Sequence, residues 1–190
     1  MSEFLAILDR AALEIFAGLM NDRREGVRNG LPVANLGTGS GHVTAYLHWL
    51  GVDAFGLDAD LGEVMQARRE YPKLSFDVGR LIPLEISDGA LGGLVAWRCF
   101  DQLNEVMLEL AISEFSRVLS IGGFLLFSFT TGRAEGEAGF LRDNRDPFEQ
   151  AAQALQLAGF IVDTHMIYRP ETGERVRHIS IIVRKATGQL

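Results

Sequence analysis

Asn35-Leu36-Gly37-Thr38-Gly39-Ser40-Gly41 stands where a short apolar run, residues 32–36, gives way to a segment whose Val43, Leu47 and Leu50 share one helical face. That order reads as strand, glycine turn, helix. Glycines at alternate positions admit positive φ angles and let main-chain N–H groups approach a ligand without a Cβ in the way. At a helix N-terminus such amides favour negative or electron-rich groups. By itself the loop also fits a tight turn. Asp58 narrows the choice: it ends the next apolar run, 17 residues after Gly41. In doubly wound α/β folds an acid about 20 residues beyond the loop hydrogen-bonds ribose hydroxyls. A solvated strand-end acid, or a cap for the helix starting near Asp60, is the other reading of Asp58.

The alternation continues outward in both directions. Residues 3–20 carry apolar side chains at helical spacing (Phe4, Ile7, Leu8, Ala11, Ile15, Leu19), and a polar break, 21–30, separates them from the first strand. Further strands are predicted over 52–57, 74–78, 91–97 and 123–129. Asp60 and Glu63 have capping-box spacing and open a helix to about Glu70. Leu108, Ala111, Ile112, Phe115, Val118 and Leu119 stripe a long helix closed by Gly122-Gly123. Asp146-Pro147-Phe148-Glu149 opens another that ends at Gly159. Strand–helix alternation through five strands gives a parallel sheet with helices on both faces. Strands over 160–168 and 177–185 then form a hairpin, an antiparallel pair at one edge. The segment 131–146 is the one long loop, of a length that is usually functional or disordered.

Composition excludes several classes. The chain has 190 residues, 47% hydrophobic and 23% charged, as expected of a single folded domain. Eighteen Lys plus Arg against 25 Asp plus Glu leave a formal charge of −7. Neutralising phosphates takes clustered cations, so no nucleic-acid partner is expected. Cys99 is the sole cysteine, which excludes an internal disulfide, and four scattered histidines form no metal pattern. With neither a basic, apolar leader nor a run of about 18 apolar residues, no membrane association and a cytoplasmic location are expected.

The glycine spacing bears on the ligand. Dinucleotide folds use G-x-G-x-x-G, the third glycine permitting close packing beneath a pyrophosphate. Here His42 holds that position and the spacing is G-x-G-x-G. A ligand without a pyrophosphate tolerates this, and S-adenosylmethionine (SAM) is one. Residues 32–60 resemble the first two motifs of the class I SAM-dependent methyltransferases. The likeness runs on through 76–97, similar to the family's third and fourth strands, and through 117–129 with its double glycine.

The resemblance implies a seven-stranded, mostly parallel, doubly wound (Rossmann-like) sheet whose last strand inserts antiparallel. It implies a cofactor, SAM, leaving as S-adenosylhomocysteine. Gly37, Thr38, Gly39 and Gly41 would wrap the methionine half, Asp58 the ribose hydroxyls, and Ala59 would lie beside the adenine. Arg80 and Leu81 occupy the turn that reads the adenine edge, and Trp97 would line the cleft near the methyl. The family usually has an acid at Asn35, an Asp at Arg80 and a His at Gln102.

Methyl transfer needs neither a metal nor a covalent intermediate, so no catalytic residue need be legible. His165, His178, Tyr168 and Glu85 are candidate bases, each with a structural reading beside the functional one. Cys99 reads as a small buried hydrophobe. Arg98, with Arg133, Arg142 and Arg145 of the long loop, has two readings: a hold on an anionic acceptor, or a solvated face. The lid formed by the N-terminal helix and the 131–146 loop suits a small-molecule acceptor, with the protein a monomer or homodimer. A SAM- or S-adenosylhomocysteine-binding protein without turnover stays open because of Asn35 and Arg80. So does an NAD(P)-dependent oxidoreductase, against which His42 argues.

Overall fold

Leu91–Trp97 has every residue buried, so this strand needs cover on both faces and must lie inside a sheet. The computed structural model describes residues 7–22, 30–98, 105–131, 146–168 and 177–187 and places that strand centrally. In chain order the elements are α1 (Ile7–Asn21), β1 (Val33–Leu36), α2 (His42–Trp49), β2 (Ala54–Asp58), α3 (Leu61–Glu70) and β3 (Phe76–Val78). There follow β4 (Leu91–Trp97), α4 (Glu105–Val118), β5 (Leu119–Thr131), α5 (Pro147–Leu157), β6 (Phe160–Tyr168) and β7 (Arg177–Lys185). They build one seven-stranded sheet in the order β3-β2-β1-β4-β5-β7-β6.

The pairs among β1 to β5 are parallel, and β7 is antiparallel to both β5 and β6. The expected hairpin is present, with a refinement. Only β7 is reversed, inserted between β5 and β6, so the edge strand β6 again runs with the others. The C-terminal ends of β1 to β5 therefore share one edge of the sheet. Order reverses between β1 and β4, and this switch point is where open α/β sheets place ligands.

Alternation divides the core. Ala34, Leu36, Leu94, Leu125 and Phe127 face α4 and α5, which contribute Leu108, Ala111, Phe115, Ala151 and Leu155. Val33, Val95, Trp97, Phe124 and Leu126 face Leu13 and Phe16 of α1 and Val43 and Leu47 of α2. Asp60 caps α3 through the amides of Gly62 and Glu63, and Asp146 caps α5 through that of Phe148, as their spacings predict. The predicted glycine stop for α4 is corrected. The helix ends at Val118 and the chain enters β5 directly, because Leu119 already pairs with Leu91. Gly122-Gly123 instead lies in the irregular step before Phe124 pairs with Gly93.

Candidate functional site

β1 ends at Leu36, and Gly37, Gly39 and Gly41 follow with φ of 64°, 51° and 88°. The left-handed alternation expected of this loop is present. Gly41 serves a further purpose. A Cβ there would lie 2.8 Å from the Phe76 ring and 3.0 Å from Ala67 Cβ, so the missing side chain lets the start of α2 pack on β3 and α3. Gly56 on β2 does the same for Thr38, whose Oγ1 would lie 2.5 Å from an added Cβ. The loop rests directly on the neighbouring strand.

Hydrogen bonds fasten it there. Thr38 N donates to Leu57 O at 3.0 Å, Gly39 N to Asp58 Oδ2 at 2.9 Å, and Gly41 N to Thr38 O at 3.0 Å. This corrects the picture of amides held open to a ligand: those of Thr38, Gly39 and Gly41 bond within the chain. Asp58 is the hub. Its Oδ1 accepts from Asp60 N at 2.9 Å, and its carbonyl accepts from Gly79 N at 2.9 Å, joining the ends of β1, β2 and β3. Each carboxylate oxygen has a second acceptor direction.

Under the loop lies a polar cluster that hydrophobic periodicity passes over. Asn35 is 1% exposed, and its Nδ2 donates to Thr38 Oγ1 at 3.2 Å and Thr44 Oγ1 at 3.0 Å. The two threonine hydroxyls are 2.9 Å apart. Both amide hydrogens are thereby used, while Asn35 Oδ1 is buried with no donor among the described residues. Thr44 has a signal in hindsight: a hydroxyl three residues before Leu47, on the buried helix face. His42 opens α2, and burial pushes its imidazole below the usual histidine range despite Glu70, which raises it. A neutral ring at that position avoids a cation against the positive end of the helix dipole.

The remaining predicted residues divide into groups. Ala59 and Arg80 are exposed and Leu81 half-buried beside the ends of β2 and β3. Trp97 is only 9% exposed and belongs to the cluster beneath α1. Arg98 follows it with φ 52° and pairs with Asp9 of α1 at 2.9 Å. Asp9 went unnoticed because 89 residues separate the partners. A second polar tie, Tyr46 Oη to Glu14 Oε1 at 2.7 Å, seats α1 on α2. His165 stacks on Phe148 of α5 at 4.0 Å, and Tyr168 lies 6.0 Å from His178, both pairs at the far side of the sheet from β1 and β2.

Glu85 adjoins Leu84, whose amide and carbonyl bond Glu114 and Arg117 in the last turn of α4, away from the glycine loop. Cys99, Gln102, Arg133, Arg142 and Arg145 lie outside the described residues. Among the described residues no group of His, Cys, Asp and Glu could hold a metal, and no helix is long and apolar enough to cross a membrane.

Residues 34–127, β1 through the middle of β5, match the methyltransferase domain family. No curated protein matches the chain. Among solved structures, a SAM-dependent methyltransferase from Methanosarcina mazei is 17% identical with TM-score 0.67, covering 83% of this chain and 93% of its own. The geranyl diphosphate methyltransferase solved with SAM is 13% identical with TM-score 0.70, the coverage being 94% of this chain and 86% of that one. The [4+2]-cyclase SpnF shares the fold at 17% identity and TM-score 0.71, over 95% of this chain and 82% of that one. The glycine loop tied to a strand-end aspartate, the sheet order and the matched domain together place this chain in the class I SAM-dependent methyltransferase family.

Proposed function

We propose that the chain binds SAM between its glycine loop and Asp58, and transfers the methyl group to an oxygen, nitrogen or carbon atom of a small molecule. The tie between Gly39 N and the Asp58 carboxylate carries this reading. It holds the carboxylate at the end of β2 with acceptor directions to spare for a pair of hydroxyls. Asn35 Oδ1, a buried acceptor lacking a donor, suits a ligand that brings N–H groups rather than phosphates. Asp58, Asp60 and Glu63 stand together beside the glycine loop. Three carboxylates beside a loop whose Thr38, Gly39 and Gly41 amides are already bonded repel a pyrophosphate and favour a sulfonium. This argues for SAM over NAD(P).

In this reading Asp58 takes the ribose hydroxyls, Ala59 and Leu81 flank the adenine, and the turns at Gly37 and Gly39 shape the wall for the methionine half. Arg80 offers no acceptor for the adenine amino group, so that edge is read by main-chain atoms. SAM when bound supplies the activated methyl and the leaving group: the acceptor's lone pair forms the new bond as the S–CH3 bond breaks, and that pair stays on sulfur. The protein's share is alignment and exclusion of water. A second reading, binding without methyl transfer, has support from the cyclase of the same fold.

Thermal-shift comparison of SAM, S-adenosylhomocysteine and NAD(H) tests the cofactor. Stabilisation by the two adenosyl compounds alone is expected, and preference for NAD(H) would overturn the proposal. Incubation with methyl-labelled SAM and a metabolite extract separates the two readings. Transferred label supports the first, and its absence with binding intact leaves the second.

A further inference from the structure

We infer that Arg98 anchors an anionic group, a carboxylate or a phosphate, on the methyl acceptor, and that Asp9 holds the guanidinium in place until the acceptor arrives. The inference rests on the methyl-transfer reading and names the chemical class of its acceptor. Arg98 directly follows β4, whose Ala96 pairs with Leu36 at the end of β1, so it stands one strand from the glycine loop. Its φ of 52° lies in the left-handed region, uncommon for any residue but glycine. Its own amide, donating to Ser128 O at 2.9 Å, fixes that conformation.

The turn redirects the side chain. Consecutive residues of a strand point to opposite faces. Trp97 packs on the α1 face, and Arg98 nevertheless meets Asp9 of α1 on that same face, its Cζ 5.9 Å from the Trp97 ring centre. The backbone is bent to bring a cation over the end of β4.

That cation is poorly matched by its present partner. Arginine and carboxylate pair best as fork on fork, two nitrogens to two oxygens. Here one nitrogen, Nη2, serves both Asp9 oxygens at 3.0 and 2.9 Å, while Nε is buried with no acceptor among the described residues. The Asp9 side chain is 10% exposed and that of Arg98 34%, so an approaching anion meets the guanidinium first. Backbone strain and an unmet donor on one residue at the β1–β4 switch point mark a functional position.

The chain has two tryptophans, Trp49 and Trp97, and Trp49 is 66% exposed. Trp49→Phe therefore leaves Trp97 as a fluorescent reporter beside Arg98. Sodium acetate and sodium phosphate are titrated into this protein at constant ionic strength set with chloride. A saturable change beyond the chloride control is expected for at least one of them, and the stronger response identifies the group. Adding Asp9→Asn removes the resident competitor and should tighten that anion by about tenfold, the scale of one charge-assisted bond. Adding Arg98→Gln should abolish the response, and should that variant fail to fold, the D9N/R98Q double, with both members neutral, gives the same reading. Responses equal to chloride in both the parent and the D9N protein overturn the inference. SAM affinity measured by calorimetry in the same proteins keeps the two claims apart. SAM binding without an anion response sinks this inference alone, and an anion response without SAM binding sinks the cofactor reading alone.

Discussion

Arg98 and Arg117 sit at opposite ends of the same sheet and are built in opposite ways. Arg117, in the last turn of α4, places all its donors. Nε and Nη2 bond the two Glu114 oxygens at 2.8 and 2.9 Å, Nη1 bonds Asp88 and Ile86 O, and Nη2 also bonds Leu84 O. It pins the 84–88 segment to α4 in an ordinary helical conformation. Arg98 has a left-handed backbone and, among the described residues, a guanidinium hydrogen-bonded to Asp9 alone, with Nε unmet. A guanidinium that only holds structure is saturated by its surroundings. One left partly unmet at a switch point is available to a ligand. The glycine loop shows the same division: the Thr38, Gly39 and Gly41 amides are bonded within the chain, while Asn35 Oδ1 lacks a donor among the described residues and Asp58 keeps spare acceptor directions.

Substitutions at both ends test that contrast. Gly41→Ala should cost the most, about 2–5 kcal/mol, since it adds a left-handed penalty to a Cβ driven into Phe76 and Ala67. Urea denaturation measures it, and a loss under about 1 kcal/mol would mean that the site end yields rather than being packed. Asp58→Ala should weaken SAM binding at least about tenfold, from roughly 1.5–3 kcal/mol per charge-assisted bond. Calorimetry reads this, and unchanged affinity would detach the aspartate from the cofactor.

The arginines themselves come next. Arg117→Gln should lower the melting temperature further than the D9N/R98Q double, which removes an ion pair without leaving the buried Asp9 carboxylate unpaired. The reverse order would erase the distinction between structural and available cations.

The smallest effect is a pH slope. The hydrogen bonds from Arg117 hold the Glu114 carboxyl below its usual 4.5, against burial, with help from the Leu84 amide. A depressed folded value means stability that is present above about 4.5 and is lost as pH falls through the folded value. Arg117→Gln should flatten that acid limb of a stability–pH curve, whereas Arg98→Gln should leave the Glu114 contribution intact.

Much of this architecture was legible because it depends on local pattern. The apolar runs located β4, β6 and β7, and Asp60 and Asp146 announced two helix starts, since capping acts within three residues. Glycine spacing and Asp58 pointed to the candidate site for a similar reason: backbone freedom at alternate positions and an acid at a strand end are written in one short stretch. Where local pattern misled, a distant partner had intervened. Gly122-Gly123 read as a helix stop until Leu119 found Leu91.

By itself, then, the order of residues determined the alternation of strands and helices, the turn that exposes the switch point and the kind of ligand its spacing tolerates. Only the folded chain decided that the Thr38 and Gly39 amides are spent on β2, that Thr38, Thr44 and Asn35 share buried hydrogen bonds, and that Asp9 meets Arg98. The reason is range: propensity and spacing act over a few residues. Which donor meets which acceptor depends on strands and helices brought together from across the chain, and no local stretch records that.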